Sequence, residues 1–400
     1  MFREISPLTA PTAAYIHIPF CRRRCFYCDF PVSIVGDRTR GETSGAIAQY
    51  VEVLCQEILT TPQQGEILQT IFLGGGTPSL LSIEQLEQIL KTLDRHFGIA
   101  LDAEISIEMD PGTFDLAHLK GYHAAGINRV SLGVQSFQTE QLKACGRTHT
   151  VEDVYEAIAL IHQVGVSNFS LDLISGLPHQ TLETWCESVE AAIAIAPTHL
   201  SVYDLIVEPM TAFGRWYQPG ESPLPTDIAT AEMYRLARQK LTQAGYEHYE
   251  ISNYAKSGYQ CRHNRVYWEN RPYYGFGMGA ASYVLGQRFT RPRKRQEYFQ
   301  WVQTLVEDHG KIDCPITPPD EVLLDTLMVG LRLAEGISLD ALKPFGTDQV
   351  ESVLQRLRPY QHQGWIEITS ESTSAPRIRL TDPEGFLFSN VVLTRLFEDI

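Results

Sequence analysis

Residues 15–30 read YIHIPFCRRRCFYCDF. The stretch opens as an apolar run of isoleucines and aromatics, the pattern of a buried strand. It then places Cys21, Cys25 and Cys28 within eight residues, with three arginines between the first two. Similar runs recur about every 30 residues: TIFLGG (70–75), EISIEM (104–109), RVSLGV (129–134), NFSLDLI (168–174) and HLSVYDLI (199–206). Helical patterns fill the gaps. SIEQLEQILKTLDRHFG opens on Ser82 followed by Glu84 and spaces its apolar residues at three and four. TVEDVYEAIALIHQVG offers Thr150 as N-cap, Asp153 at the capping-box position and Gly165 as the stop.

Strand then helix, repeated about six times, predicts parallel strands with crossover helices. An open doubly wound sheet and a complete or partial β/α barrel both fit that alternation. The polar residues favour the barrel, because they fall at the ends of successive strands. The cysteines follow the first run, GGGTP the second, Glu108 and Asp110 end the third, Gln135 follows the fourth, and Asp172 with SGLP closes the fifth. A barrel rim draws its functional residues from many strand ends, whereas an open sheet gathers them at one switch point. The expected fold is α/β, an incomplete parallel (β/α)6 barrel. After TRPRKRQ (290–296), a basic patch read as a solvated helix start, and the linker CPITPPDE (314–321), the pattern changes. It becomes a small helical domain of winged-helix character with a short hairpin, WIEIT and RIRLT. The expected division is a tail over 1–14, the barrel with an extension over 15–290, and the helical domain over 291–400.

The chain has 400 residues and a formal net charge of −15. An acidic chain argues against general nucleic-acid binding, which needs clustered cations. Neither a signal peptide nor an apolar run of bilayer length is evident, so a cytoplasmic protein with no integral membrane segment is expected. The other cysteines, Cys55, Cys145, Cys186, Cys261 and Cys314, are scattered and read as inert thiols, Cys261 being a partial exception.

Cys-x3-Cys-x2-Cys is too tight for mutual disulfides, and a closed structural zinc site takes four ligands, usually in two separated pairs. Thiolates suit an iron–sulfur cluster, and three of them leave one iron of a 4Fe–4S cubane open to a further ligand. Arg22, Arg23 and Arg24 are expected to lower the thiol pKa values and offset cluster charge. On spacing alone, a labile zinc site or a chance grouping stays open. The glycines of LGGGTPSLL let backbone approach a ligand, but the Gly-Lys-Ser/Thr ending of a phosphate loop is missing.

With Tyr27 before the last cysteine, this motif resembles the signature of the radical S-adenosylmethionine superfamily. The resemblance implies a partial β/α barrel and a 4Fe–4S cluster on Cys21, Cys25 and Cys28. It also implies S-adenosylmethionine on the open iron, cleaved by a cluster electron to a 5′-deoxyadenosyl radical. Gly74, Gly75, Gly76 and Thr77 look like the segment that meets the cofactor's methionine. The blocks YIHIPFC, FLGGGTPS, ISIEMDPGT, INRVSLGVQSF, GRTHT, LDLISGLPHQT, ISNYA and GFGMGAASY are similar, in order, to the oxygen-independent coproporphyrinogen III oxidase family and its HemW-type heme chaperone relatives. By motif, Tyr15, Gly75 and Glu108 are implied to contact the cofactor on the cluster. Tyr27, Gly76, Thr77, Gln135, Arg147 and Asp172 are implied to line a second cofactor site, with Ile206 and Ala281 as looser matches.

Three features favour the chaperone group. The oxidase pattern has a further cysteine where this chain has Phe30. It also carries an extension ahead of its first strand, where only fourteen residues precede Tyr15 here. Finally, CRHNRVYW (261–268) resembles the chaperones' own motif. On this reading His263 ligates heme iron, Cys261 is a thiolate or thioether partner, and Tyr267 and Trp268 stack on the porphyrin. The bland alternative is a capped turn packed beneath the barrel. The expected function is a protein that binds a 4Fe–4S cluster, S-adenosylmethionine and heme and passes heme to an acceptor protein. An electron-donor protein and a homodimer are further expectations. The alternative is the enzyme, oxidative decarboxylation of coproporphyrinogen III.

Overall fold

The computed structural model describes residues 10–37, 40–369 and 376–397, so most of the expected N-terminal tail lies outside the described residues. Six main strands follow one another: β1 Ala13–Ile18, β2 Leu68–Gly75, β3 Ile99–Met109, β4 Arg129–Gln135, β5 Phe169–Ser175 and β6 His199–Asp204. Between them lie the main helices α1 Gly45–Thr60, α2 Ile83–Phe97, α3 Leu116–Ala124, α4 Val151–Val164 and α5 Leu182–Ile195, with α6 Asp227–Gln243 after β6. Every neighbouring pair from β1 to β6 is parallel, and their spatial order is their chain order. That settles the architecture. A doubly wound sheet reverses its strand order once, whereas here each crossover steps the same way, as in a barrel.

Beyond β1 the sheet gains a parallel strand, Tyr274–Phe276. Beyond β6 it gains two antiparallel strands, Asn253–Ala255 and Glu247–Glu250. Among the described residues no strand pairing joins the two edges. β1, β4 and β5 are buried along nearly their whole length, which is why they read as apolar runs and not as alternation. The helices obey their caps. Thr150 Oγ1 accepts from Asp153 N–H, the Asp153 carboxylate accepts from Thr150 N–H, and Gly165 closes α4 at φ +85°. The resulting register buries Val154, Ala157, Ile158 and Ile161 on one face.

Past residue 290 the helix Arg295–Glu307 still packs on α1, with Tyr298 and Val302 in the barrel core. TRPRKRQ divides in two. Arg291 turns inward to a buried ion pair with Glu57 at 2.7 Å, while Arg293 and Lys294 stay exposed. A separate core, including Leu323, Leu327, Leu357, Ile378 and Val392, holds the C-terminal helices and a three-stranded sheet. Arg235 with Glu384, and Arg238 and His248 with Asp382, tie this unit to the barrel. Among the described residues no helix is long and apolar enough to cross a membrane.

Candidate cofactor site at the mouth of the barrel

The chain leaves β1, makes the short strand Phe20–Cys21, loops out through Cys25 and Cys28, and returns as Ser33–Ile34 beside Phe20–Cys21. The loop is pinned at its middle: Phe26 N–H donates to Cys145 O, and Phe213 N–H to Phe26 O, both at 3.0 Å. All three thiols face one cavity of about 630 Å³ at the C-terminal ends of the strands. They do not converge on a point. Among the described residues no three His, Cys, Asp or Glu side chains group closely enough to hold a single metal ion. A multi-iron cluster takes thiols at separate corners.

The arginines do not act as expected on Cys21 and Cys28. Burial dominates: it pushes the Cys21 thiol up to about 12, against a lowering hydrogen bond from Thr77, and raises Cys28, against lesser lowering by a backbone hydrogen bond and Arg24. Arg23 pairs with Asp37, Arg22 donates to Gly112 O, and Arg24 donates to the carbonyls of Cys28 and Phe30. Their work is to hold the loop's shape.

The glycine run ends β2 directly behind Cys21. Gly75 sits at φ +114°, and a Cβ there would lie 2.5 Å from the His17 ring. A Cβ on Gly76 would lie 2.7 Å from Phe20 O and 3.0 Å from Cys21 Sγ. Glycine is thus required for the strand end to pass the cysteine loop, sealed by Thr77 N–H to Phe20 O at 2.7 Å. Gly74 is buried against Glu108, whose Oε1 lies 3.0 Å from where a Cβ would stand.

The floor of the cavity is acidic with one fixed cation. Glu108 accepts from Gly75 N–H at 2.9 Å. Asp172 is gripped by the Ser131 hydroxyl, 3.0 Å from both its oxygens, and by Ser170 at 3.3 Å. Arg147 donates to Asp110 and to Gly133 O, and its other nitrogen lies 3.5 Å from Cys25 Sγ. Gln135 stands at φ 65°, where β4 shifts register against β5, and this bulge turns its side chain into the cavity. Tyr27 lines the wall, and exposed Ile206 forms part of the rim.

Three of the expected residues do not line the cavity: Gly74, packed behind Glu108, and two more. Tyr15 points within the barrel, hydrogen-bonded to His17 Nδ1 at 3.0 Å, while His17 Nε2 reaches Pro31 O. Ala281 packs its carbonyl against Gly275 and does not line the cavity. Asp110 was placed at a strand end but given no role, and Ser131 and His17 were not among the site residues. Ser131 shares a strand face with Gly133 and Gln135, a period-two signal that would have found it.

CRHNRVYW does not line the cavity. Arg262–Trp268 forms α7, and the Glu104 carboxylate caps it by accepting from the N–H groups of Arg262 and His263, both at 3.1 Å. Cys261 Sγ lies 3.5 Å from Glu104 Oε1. His263 is fully buried; its Nδ1 is 2.9 Å from Thr70 Oγ1, its Nε2 is 2.8 Å from Tyr267 OH, and its ring stacks on Phe72. Burial lowers His263 to about 3, so the ring is neutral. Trp268 lies under the Arg332 guanidinium. Thr70 lies near the start of β2 and Glu104 midway along β3, several residues before Gly75 and Glu108.

Glu108 gives a pH signature. Burial raises its pKa from 4.5 to about 7, against a lowering hydrogen bond from Gly75 and with help from Asp172 and Asp110. The folded state therefore favours the protonated acid. Its contribution is fully present below 4.5 and is lost as pH rises through about 7. Allowing for screening by cavity water, that is roughly 2 kcal/mol. Glu108→Gln is expected to raise the melting temperature of the cofactor-free protein at pH 8 and to change it little at pH 4. Equal shifts at both pH values would count against this.

Comparison with known proteins places this geometry. A radical SAM superfamily model matches residues 15–192, and a HemN C-terminal domain model matches residues 317–387. The chain is 48% identical over 398 residues to the heme chaperone HemW of Synechocystis sp., covering 97% of this chain and 96% of the relative. It is 37% identical over 331 residues to heme chaperone HemW of Bacillus subtilis, covering 82% and 84%. Coproporphyrinogen III oxidase (HemN) from Escherichia coli, a radical SAM enzyme, shares the fold with a TM-score of 0.80 at 22% identity, covering 99% of this chain and 92% of that one. The superfamily implies a 4Fe–4S cluster and S-adenosylmethionine. The residues fit both: three thiols spread around one cavity, a glycine-backed wall beside Cys21, and buried carboxylates facing the space beyond. The end-to-end match and the radical SAM core show that the chain belongs to the heme chaperone HemW family.

Proposed function

We propose that this protein binds heme and delivers it to an acceptor protein, with a 4Fe–4S cluster and S-adenosylmethionine held at the barrel mouth. The observation that carries the reading is the full-length match to heme chaperones on a mouth whose thiols and carboxylates are all in place. Cys21, Cys25 and Cys28 hold the cluster, which when bound supplies an electron to the cofactor's sulfonium. Glu108 and the Gly75 backbone orient the cofactor from one side. Asp172, whose pKa burial raises against lowering hydrogen bonds from its serines, accepts from hydroxyl groups on the other. Arg147, fixed by Asp110, presents a cation beside Cys25. Tyr27, Gly76, Thr77, Gln135 and Ile206 shape the space beyond, and Tyr15 supports it through His17. Phe30, in place of the oxidase's further cysteine, favours the chaperone over the oxidase. A cytoplasmic setting, an electron-donor protein and a homodimer are parts of the same proposal.

The test is anaerobic reconstitution of the cluster, heme titration, and transfer from the heme-loaded protein to apomyoglobin as a model acceptor. Heme binding and transfer are expected, with no conversion of coproporphyrinogen III when S-adenosylmethionine and a reductant are supplied. Turnover to protoporphyrinogen IX, or failure to bind heme, would overturn the proposal.

A further inference from the structure

Beside the cysteine loop lies a second hollow, a groove of about 400 Å³. Buried Met278 forms its floor, and Arg24, Phe30, Arg293, Lys294 and Arg295 are its main walls. Its charge runs against the chain as a whole, whose net charge is −15. Asp29 lies 3.4 Å from Arg293, and Glu297 lies 2.9 Å from Lys294, so two carboxylates offset two of the four cations. Two positive charges are left over.

Phe30 is 60% exposed, which is high for a large aromatic set among cations. The loop that carries it is braced. Arg24 donates to the carbonyls of Cys28 at 3.4 Å and Phe30 at 3.3 Å, and Arg293 donates to Asp29 O at 2.7 Å. The groove thus offers one presented aromatic face and an excess of two cations. The complementary ligand is flat, apolar and doubly anionic. A broad acidic protein surface would match the charge but not the hollow or the ring.

We propose that this groove receives the heme of the function proposed above, on which the inference rests. The macrocycle lies on Phe30, and the two propionates meet Arg293, Lys294 and Arg295. The lining holds no imidazole or thiol, so recognition here works through ring and carboxylates. The groove adjoins the cluster loop, so a bound heme edge lies next to the loop that carries Cys28.

The test titrates heme into cluster-loaded wild type, Phe30→Ala, the double variant Arg293→Gln/Lys294→Gln, and Lys294→Glu, after iron and sulfide have been counted in each. Lys294 donates to Glu297 on its own helix, so its variant stays informative if another variant loses its cluster. Each variant is expected to bind heme roughly tenfold more weakly, one charge-assisted or stacking contact being worth about that factor. Heme dimethyl ester is expected to bind wild type and the double variant equally weakly. If wild type binds heme and all variants with intact clusters match it, the groove is not the site, which is also the result expected of a patch for an acidic protein. An ester that binds wild type as tightly as heme overturns the carboxylate contacts. If wild type itself binds no heme, the functional reading falls first.

Discussion

Replacing any one of Cys21, Cys25 or Cys28 with Ser is expected to leave the reconstituted protein with roughly a tenth or less of the wild-type iron and sulfide, because a cluster on three thiolates has no spare protein ligand. The reason lies in the environment of the thiols. Burial raises Cys21 to about 12, so the free thiol keeps its proton at neutral pH, and metal coordination is what draws the thiolate out. A serine hydroxyl at that place ionises even less readily. Cys145→Ser is the control. Cys145 is buried behind Cys25, where its carbonyl anchors Phe26, but its side chain packs with Ile174, Leu177 and Phe213 outside the cavity. It is expected to keep full iron and sulfide. The measurement is iron and sulfide per chain with the visible spectrum. A Cys145 variant that loses its cluster while one of the other three keeps it would remove the assignment.

Much of this mouth was legible in the sequence because parallel strands deliver their last residues to one rim. Glu108, Gln135 and Asp172 could each be placed from a short apolar run and its end, with no knowledge of the partners. The partners were harder to see. Asp110 matters because it clamps Arg147, 37 residues later, and Ser131 because it grips Asp172, 41 residues later. Such pairs depend on which strands become neighbours, and one chain read alone does not give that register. Gln135 owes its aim to a bulge at positive φ, which no propensity announces for glutamine. The arginines between the cysteines show the opposite hazard. Their charge was legible, but their hydrogen bonds to backbone carbonyls and to Asp37 were not, so an electrostatic role was expected where the structure shows mainly bracing.

The motif CRHNRVYW carries the second large prediction. His263→Ala is expected to destabilise the protein by roughly 3–5 kcal/mol, from a ring-sized cavity and from hydrogen bonds lost in the core. Thr70 Oγ1 and Tyr267 OH would lose their imidazole partner, and Phe72 would lose the ring stacked on it. Heme affinity of the molecules that remain folded is expected to match wild type, since a ligand role would require His263 to leave both partners and a fully buried site. His263→Gln, which can keep one of the two hydrogen bonds, should lose less stability than the alanine variant. Denaturant midpoints and heme titrations of the three proteins decide the matter. Near wild-type stability with a lost or altered heme spectrum would make His263 an iron ligand. The expected pattern instead makes it the strut through which α7, capped by Glu104, is locked onto β2.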